Sequence, residues 1–270
     1  MGSEAFVQFP GMPFRSLEEF HRYRAENRRL FDERYLREQS LGVVGHAVAL
    51  AGLCAPCLKV TTFVSPTEDG NKTADGRLVP HWRLRQTCGC AFALANHERA
   101  LLHMALPYLG PSSWSRIGVL GRGENLAARL REEFSQVTLW PRLYNDVFAQ
   151  INLPTDPASQ HVILAADELA HIPPLDQALA AVARSLPPGG LFITTTAFDV
   201  EAEETISWTT DLRPVSSGPV LFTRDPVHRL GWDLIPRLRA AGFTDAWGSC
   251  YWSEEFGYLG PYNMIFVAFR

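Results

Sequence analysis

Four cysteines lie in two close pairs along the chain, as Cys54-Ala-Pro-Cys57 and Cys88-Gly-Cys90. Two such pairs, separated by about 30 residues, are typical of a structural zinc site, because four thiolates complete the tetrahedral shell that Zn²⁺ prefers. His46 or His81 could replace one of these ligands. A structural zinc contributes on the order of 10 kcal/mol to the folding of a small module. The fifth cysteine, Cys250, stands alone and is predicted to be a small buried residue.

A glycine-containing turn, Gly121-Arg-Gly123, follows a short apolar segment and precedes a predicted helix. Glycines at such a turn let the backbone approach a ligand at the N-terminus of the helix, although an ordinary strand-to-helix turn has the same pattern. His171 follows a second apolar segment, directly after Asp167 and Glu168, which could orient a cofactor or substrate. Because a histidine titrates near neutrality, His171 is either a general base or a helix-capping residue without a chemical role.

Short apolar segments alternate with amphipathic segments from Ser115 to the end of the chain. The predicted strands are Arg116–Leu120, Gln136–Trp140, 161–166, 191–196 and 264–269. The predicted helices are 125–134, 175–186 and 232–241. The last helix ends at Gly242, which suits a left-handed C-cap. This alternation predicts an α/β fold with a parallel sheet and helices on both faces. Ligands of such sheets bind beyond the carboxyl ends of the strands.

The N-terminal region is predicted to begin with a helix. Ser16-Leu-Glu-Glu19 forms a capping box, and the apolar spacing predicts an amphipathic helix to about Arg37, which either covers a ligand or packs on the core. Short strands and turns are predicted around the cysteines over 42–92, with a polar, turn-rich stretch at 66–76. We therefore divide the chain into an N-terminal helical segment (1–41), a cysteine-rich module with a connecting helix (42–110) and an α/β domain (111–270).

The composition is that of a globular protein with a sizeable core, since 46% of the residues are hydrophobic and 20% are charged. A net charge of −4 and a pI near 6.1 give no basic surface for nucleic acid. No apolar run approaches the roughly 18 to 20 residues that span a bilayer. The first residues also lack the pattern of a signal peptide. We expect a cytoplasmic protein with reduced cysteines that binds neither nucleic acid nor membranes.

Several motifs, in a fixed order, resemble those of a bacterial family of class I S-adenosylmethionine (SAM)-dependent methyltransferases with an N-terminal cysteine-rich, zinc-binding module. In the second half of the chain the matching segments are Ala165–Ile172, Leu186–Leu191, Gly231–Leu234, Leu238–Phe243 and Tyr251–Gly260. In the first half they are the two cysteine pairs, Trp82-Arg83 and Arg99–Leu102. The second pair is Cys-x-Cys here and Cys-x-x-Cys in the family. The resemblance covers roughly residues 50 to 270.

The resemblance implies a class I methyltransferase fold, with a Rossmann-like SAM-binding domain over residues 111–270. It implies transfer of the methyl group of SAM to a small molecule, in specialised metabolism. From the resemblance and from positions at the carboxyl edge of the predicted sheet, we expect the cofactor to be bound by Gly121, Gly123, Trp140, Asp146, Asp167 and Glu168. The expected zinc ligands are Cys54, Cys57, Cys88 and Cys90. His171 and Tyr251 are the implied catalytic residues. Tyr251 lies in an aromatic and acidic cluster that either lines the acceptor pocket or packs in the core.

The chain departs from the family pattern where the second strand ends. Trp140-Pro141 stands there in place of the carboxylate that holds the ribose hydroxyls of SAM. Trp140 either contacts the adenine or the sulfonium, a cation–π contact being worth roughly 0.5 to 2 kcal/mol, or packs in the core. Asp146 is predicted to face the adenine amino group. Two alternatives follow: a SAM-using enzyme that cyclises its substrate or transfers the aminocarboxypropyl group, and a non-catalytic scaffold that retains the fold.

Overall fold

The computed structural model describes residues 8–109, 115–140, 143–145, 148–151, 158–172, 175–208, 220–223 and 226–270. The chain forms two compact units. The first contains Met1–Met12, Glu18–Tyr108 and Cys250–Asn263, and the second contains Pro13–Leu17, Leu109–Ser249 and Met264–Arg270. Among the described residues, no helix combines the length and hydrophobicity needed to span a membrane.

The elements up to Tyr108 include helices and the strands of the cysteine-rich module. They are β1 (Gly11–Phe14), α1 (Leu17–Glu26), α2 (Arg28–Ser40), β2 (Ala47–Cys54), β3 (Lys59–Pro66), β4 (Asn71–Lys72), β5 (Leu78–Val79), α3 (Trp82–Arg85), β6 (Thr87–Cys88) and α4 (Asn96–Ala105), with 3₁₀ turns at Ala55–Cys57 and Leu106–Tyr108. The prediction of one helix up to Arg37 was wrong, because the helix is interrupted at Asn27. The side-chain amide of Asn27 donates to the carbonyl oxygen of Tyr23 at 2.8 Å, and such local bonds compete with the helical backbone.

The predicted short strands around the cysteines are confirmed. β2 and β3 form an antiparallel hairpin in which Cys54 pairs with Lys59, and β6 adds to β3 with Phe63 opposite Cys88. Leu58 closes the hairpin with a left-handed backbone, φ 50°. This register brings the turn of the hairpin, which carries Cys54 and Cys57, close to β6.

The five predicted strands and three predicted helices are found among the remaining elements. These elements are β7 (Arg116–Leu120), α5 (Glu124–Arg131), β8 (Gln136–Trp140), β9 (Leu143–Asn145), β10 (Phe148–Ile151), β11 (Val162–Ala166), a 3₁₀ turn at Leu169–His171, α6 (Leu175–Ser185), β12 (Leu191–Thr195), β13 (Ile206–Ser207), β14 (Val220–Thr223), β15 (His228–Arg229), α7 (Leu234–Ala240), β16 (Asp245–Ser253) and β17 (Tyr258–Phe269). The bounds of β7 and β8 equal those predicted, and Gly242 follows α7 with φ +110°. Six further strands of the described residues, β9, β10 and β13 to β16, were not predicted.

A seven-stranded sheet has the order β1-β16-β17-β12-β11-β7-β8. β8, β7, β11 and β12 run parallel to one another, whereas β17 pairs with β12 in the antiparallel sense. β11 and β12 are buried along their whole length, as expected for central strands of a parallel sheet. The parallel strands place the turn after β7 and the segment after β11 at the same edge of the sheet.

Candidate cofactor site and metal centre

The glycine turn lies at the carboxyl end of β7. Gly121 has φ +75°, a left-handed conformation that favours glycine. Its N–H donates to the carbonyl oxygen of Trp140 at 2.9 Å, so the end of the neighbouring strand β8 holds the turn in place. Gly123 directly precedes α5. A Cβ atom on Gly121 would overlap the carboxylate of Glu168.

The Glu168 side chain is fully buried against this turn. Its Oε1 accepts a hydrogen bond from the backbone N–H of Arg122 at 3.1 Å. The segment that follows β11 therefore places a carboxylate beside the glycine turn. Asp167, directly before it, has a left-handed backbone with φ 57°, and its N–H donates to the carbonyl of Thr195 at 3.0 Å. This pairing fixes the backbone from which Glu168 reaches the turn.

The Trp140 side chain lies across β7. A Cβ on Gly118 would overlap its indole ring, so the ring packs on the strand backbone and remains partly exposed. Asp146, the predicted partner of the adenine amino group, lies outside the described residues, and so does Pro141.

His171 is buried at the end of the 3₁₀ turn after β11, and its N–H donates to the carbonyl of Glu168 at 3.0 Å. His228, the lesser histidine candidate because it precedes the predicted last helix, is also buried and lies beside this turn. Nε2 of His228 lies 2.7 Å from the carbonyl oxygen of Ile172, and its Nδ1 lies 2.8 Å from Oγ of Ser207. Because a carbonyl oxygen only accepts, Nε2 carries a hydrogen, and Nδ1 of the neutral ring accepts from the Ser207 hydroxyl. In the sequence, His228 is marked only by its position before α7, which is a weak indication of a functional residue.

Tyr251 belongs to the first unit, where it is 1% exposed. Its ring centroid lies 5.4 Å from that of Phe9 and 5.6 Å from that of Tyr258. Nδ1 of His103 lies 3.2 Å from the hydroxyl of Tyr258. The predicted catalytic tyrosine is therefore part of a buried aromatic cluster in that unit.

The four paired cysteines of the first unit converge. The sulfur atoms of Cys54, Cys57, Cys88 and Cys90 all lie within 4.8 Å of one another. Four thiolates at the usual Zn–S distance of about 2.3 Å form a tetrahedron with edges of about 3.8 Å, so the residues fit a tetrathiolate zinc centre. Hydrogen bonds from the thiols of Cys54 and Cys57 lower the pKa of Cys88, with a smaller effect from the positive charge of Arg99. Hydrogen bonds to Cys57 and Cys88 raise the pKa of Cys54, so within the cluster the negative charge is favoured on Cys88.

Arg99 is a fully buried cation in the same unit. It donates to the carbonyl oxygens of Leu94 and Gly257 and to Oε1 of Gln86, at 3.2, 2.9 and 2.9 Å. All three acceptors are neutral, and no carboxylate in the described part of the chain pairs with Arg99. Burial lowers the pKa of Arg99, whereas the Cys54 and Cys88 sulfurs are among the groups that raise it. A buried guanidinium without a counter-charge is very unfavourable, so negative charge on the cysteine cluster would compensate it.

The order and direction of the strands identify the fold. The last strand, β17, lies between β12 and β16 and is antiparallel to β12 in an otherwise mostly parallel sheet. This sheet fits the class I methyltransferase fold. No protein-family model and no curated protein sequence matches the chain.

Solved structures of methyltransferases are similar to part of the chain. An S-adenosylmethionine-dependent methyltransferase from Mesorhizobium loti is 15% identical, with a TM-score of 0.39 over 62% of this chain and 96% of its own. The CurJ carbon methyltransferase is 18% identical, with a TM-score of 0.39 over 67% of this chain and 55% of its own. PigF, solved with SAH, is 14% identical, with a TM-score of 0.33 over 64% of this chain and 58% of its own. Because the identities and TM-scores are low, the fold assignment rests on the strand order alone.

Proposed function

We propose that the chain is a SAM-dependent methyltransferase that acts on a small molecule and carries a structural zinc ion in its first unit. The observation that supports it most is the pairing of the glycine turn after β7 with the buried carboxylate of Glu168. A glycine turn and a helix N-terminus at the carboxyl edge of a parallel sheet suit a nucleoside ligand. A carboxylate beside the turn suits the ammonium group of the methionine part of SAM.

The described residues would then have separate roles. Bound SAM supplies an electrophilic methyl group. Glu168 orients the cofactor through its charge, and the Arg122 N–H keeps the Glu168 carboxylate in position. An oxygen acceptor needs a base, and His171 is our candidate because it follows β11 at this edge. His228 is a second candidate, because the Ile172 carbonyl fixes its tautomer with an accepting Nδ1.

Calorimetry with S-adenosylhomocysteine tests the cofactor site. We expect binding to the wild-type chain and a loss of roughly tenfold or more in Glu168→Gln, which keeps the shape of the side chain but removes its charge. Glu132→Gln is the matched control, because Glu132 is an exposed residue that directly follows α5. This variant should bind like the wild type. Absence of binding to the wild type at high micromolar concentration would favour the non-catalytic scaffold.

Incubation with SAM alone separates the two enzymatic alternatives. Methylthioadenosine formed without an acceptor would favour cyclisation or aminocarboxypropyl transfer, and that outcome would overturn the methyltransferase proposal. Formation of S-adenosylhomocysteine only after an acceptor is added supports it. Histidine variants then separate the two candidate bases, because the true base should lower kcat far more than the binding of S-adenosylhomocysteine.

Zinc in the first unit is tested by metal analysis of the purified chain. We expect one zinc ion per chain, and the loss of most of it in Cys57→Ser and Cys90→Ser, which alter the two partly exposed cysteines of the cluster. Cys250→Ser is the control, since this thiol lies outside the cluster. Equal zinc content in all variants would contradict the proposed site.

A further inference from the structure

Helix α2 buries a glutamate and exposes apolar residues. Glu38 is 4% exposed, whereas Tyr35 and Leu36 are 59% and 64% exposed. A helix on a protein surface normally turns its apolar residues inward and its charges outward. Such a reversal of the usual pattern is typical of functional sites.

Glu38 lines a cavity of about 180 Å³ within the first unit. Aromatic rings make up much of its lining, from Phe31, Tyr35, Trp252 and Tyr262. An engineered apolar cavity of about 150 Å³ in another protein takes up benzene, so this one has room for a single six-membered ring. Tyr262 has a left-handed backbone, φ 53°, which is uncommon for a bulky residue and is often found at ligand sites.

The Glu38 side chain lines this cavity and is held through one of its two carboxylate oxygens. Its Oε1 accepts hydrogen bonds from Nε1 of Trp252 at 2.7 Å and from the N–H of Gly260 at 2.9 Å. Among the described residues both donors use Oε1, so Oε2 keeps its capacity to accept. Burial raises the pKa of Glu38, although these two bonds and Arg34 act in the opposite direction. A carboxylate in this environment gains from a ligand that donates a hydrogen bond.

A guanidinium group supplies the complementary donor. The Cζ atom of Arg34 lies 5.3 Å from the ring centroid of Trp252 and 5.6 Å from that of Phe31, within the range of cation–π contacts. Its Nε is buried, and no acceptor for it is found in the described part of the chain. A buried N–H group is unfavourable unless water or a ligand accepts from it.

We infer that this cavity binds a planar aromatic ligand with neighbouring hydroxyl groups, of the catechol type. One hydroxyl would donate to Oε2 of Glu38, and an adjacent oxygen would accept from Nε of Arg34, while the ring lies among the aromatic side chains. Binding depends on the first unit alone. That such a ligand is also a methyl acceptor rests on the proposed function.

Isothermal titration calorimetry of the full chain with catechol, without SAM, tests the inference. We expect saturable binding that is at least roughly tenfold tighter than that of cyclohexane-1,2-diol, which has the same hydroxyls but no aromatic ring. 1,2-Dimethoxybenzene, which has the ring but no donor, should also bind at least roughly tenfold more weakly. Equal affinity for catechol and either comparison compound would overturn the proposal.

Variants then test the two polar groups. Glu38→Gln keeps an acceptor for Trp252 and Gly260, and we expect catechol to bind roughly tenfold more weakly. Glu33→Gln, at an exposed position of α2, should leave the affinity unchanged. If circular dichroism shows that Glu38→Gln has lost its fold, Arg34→Gln replaces it with the same expectation, and unchanged affinity in the folded variant would refute the site. Failure of S-adenosylhomocysteine to bind would refute the cofactor site without affecting these results.

Discussion

Replacement of Arg99 by methionine tests whether the cysteine cluster is negatively charged. A tetrathiolate zinc centre would carry a net charge of −2 in the unit that buries Arg99. Removal of one partner from a buried pair of opposite charges costs about 3 to 5 kcal/mol. Because methionine fills much of the same space, we expect a loss of about 3 kcal/mol in the free energy of unfolding. For a chain of this size that loss lowers Tm by roughly 6 to 12 °C.

The sign of the effect depends on the charge of the sulfur atoms. If the four thiols were neutral, Arg99 would be an uncompensated buried cation, and Arg99→Met would be neutral or stabilising. Thermal unfolding of the zinc-loaded protein distinguishes the two cases. Arg85→Met, at an exposed arginine that pairs with Asp69, is the control and should change stability by no more than about 0.5 kcal/mol.

The zinc affinity of Arg99→Met is a second measure of the same interaction, and it does not require a folded zinc-free protein. Since coupling between two sites is reciprocal, the loss of about 3 kcal/mol also predicts zinc binding that is roughly 100-fold weaker in Arg99→Met. Competition with a chelator of known affinity measures it. An Arg99→Met protein that is as stable as the wild type and binds zinc equally well would refute the proposed charge balance.

Three further predictions concern other residues. Burial raises the pKa of Cys250 to about 12, so iodoacetamide at pH 8 should leave Cys250 unmodified in the native protein and modify it after denaturation; mass spectrometry of the peptides measures this, and rapid native labelling would contradict the burial. The raised pKa of Glu38 means that its contribution to stability is present below the unfolded pKa and declines as pH rises through the folded one. In urea unfolding, the stability of Glu38→Gln relative to wild type should therefore increase from pH 4 to pH 7, while Glu33→Gln shows no such trend. A decrease would show that folding lowers the pKa of Glu38. Gly118→Ala should destabilise by about 1 to 3 kcal/mol, because its Cβ would overlap the Trp140 ring. Addition of Trp140→Leu should recover much of that loss, and an equal loss in the double variant would show that the ring is not the cause.

The sheet was predictable from the sequence because its central strands are buried on both faces and read as continuous apolar runs. β7 was located to the residue for this reason. The edge strand β8 was located equally well although it is only partly buried. Local periodicity did not reveal the interruption at Asn27, which depends on a side-chain bond to Tyr23. The cysteine centre could be predicted because its ligands occur as close pairs, so that only one long-range contact had to be inferred.

The rest of the candidate site depends on contacts between residues far apart in the chain. Glu168 reaches a turn 46 residues away, and the donors to Glu38 lie 214 and 222 residues away. A buried charge such as Arg99 looks like any surface arginine in the sequence, since only its tertiary partners make it different. Nothing in local pattern or spacing indicates which charged residues will be buried, and the family resemblance matched the Arg99 segment without suggesting its role.

The hairpin of β4 and β5 lies inside the stretch of about 30 residues between Cys57 and Cys88, which a shared metal ion would close into a ring. Closure entropy grows only with the logarithm of ring size, so that doubling the stretch costs roughly 0.6 kcal/mol. Polar residues could therefore be inserted near Gly76, at φ +87°, where, among the described residues, an added Cβ would contact only the flexible end of Lys72 at 3.8 Å, to carry an epitope or a fluorophore. The metal ion would hold the two cysteine pairs together even when the loop between them is longer.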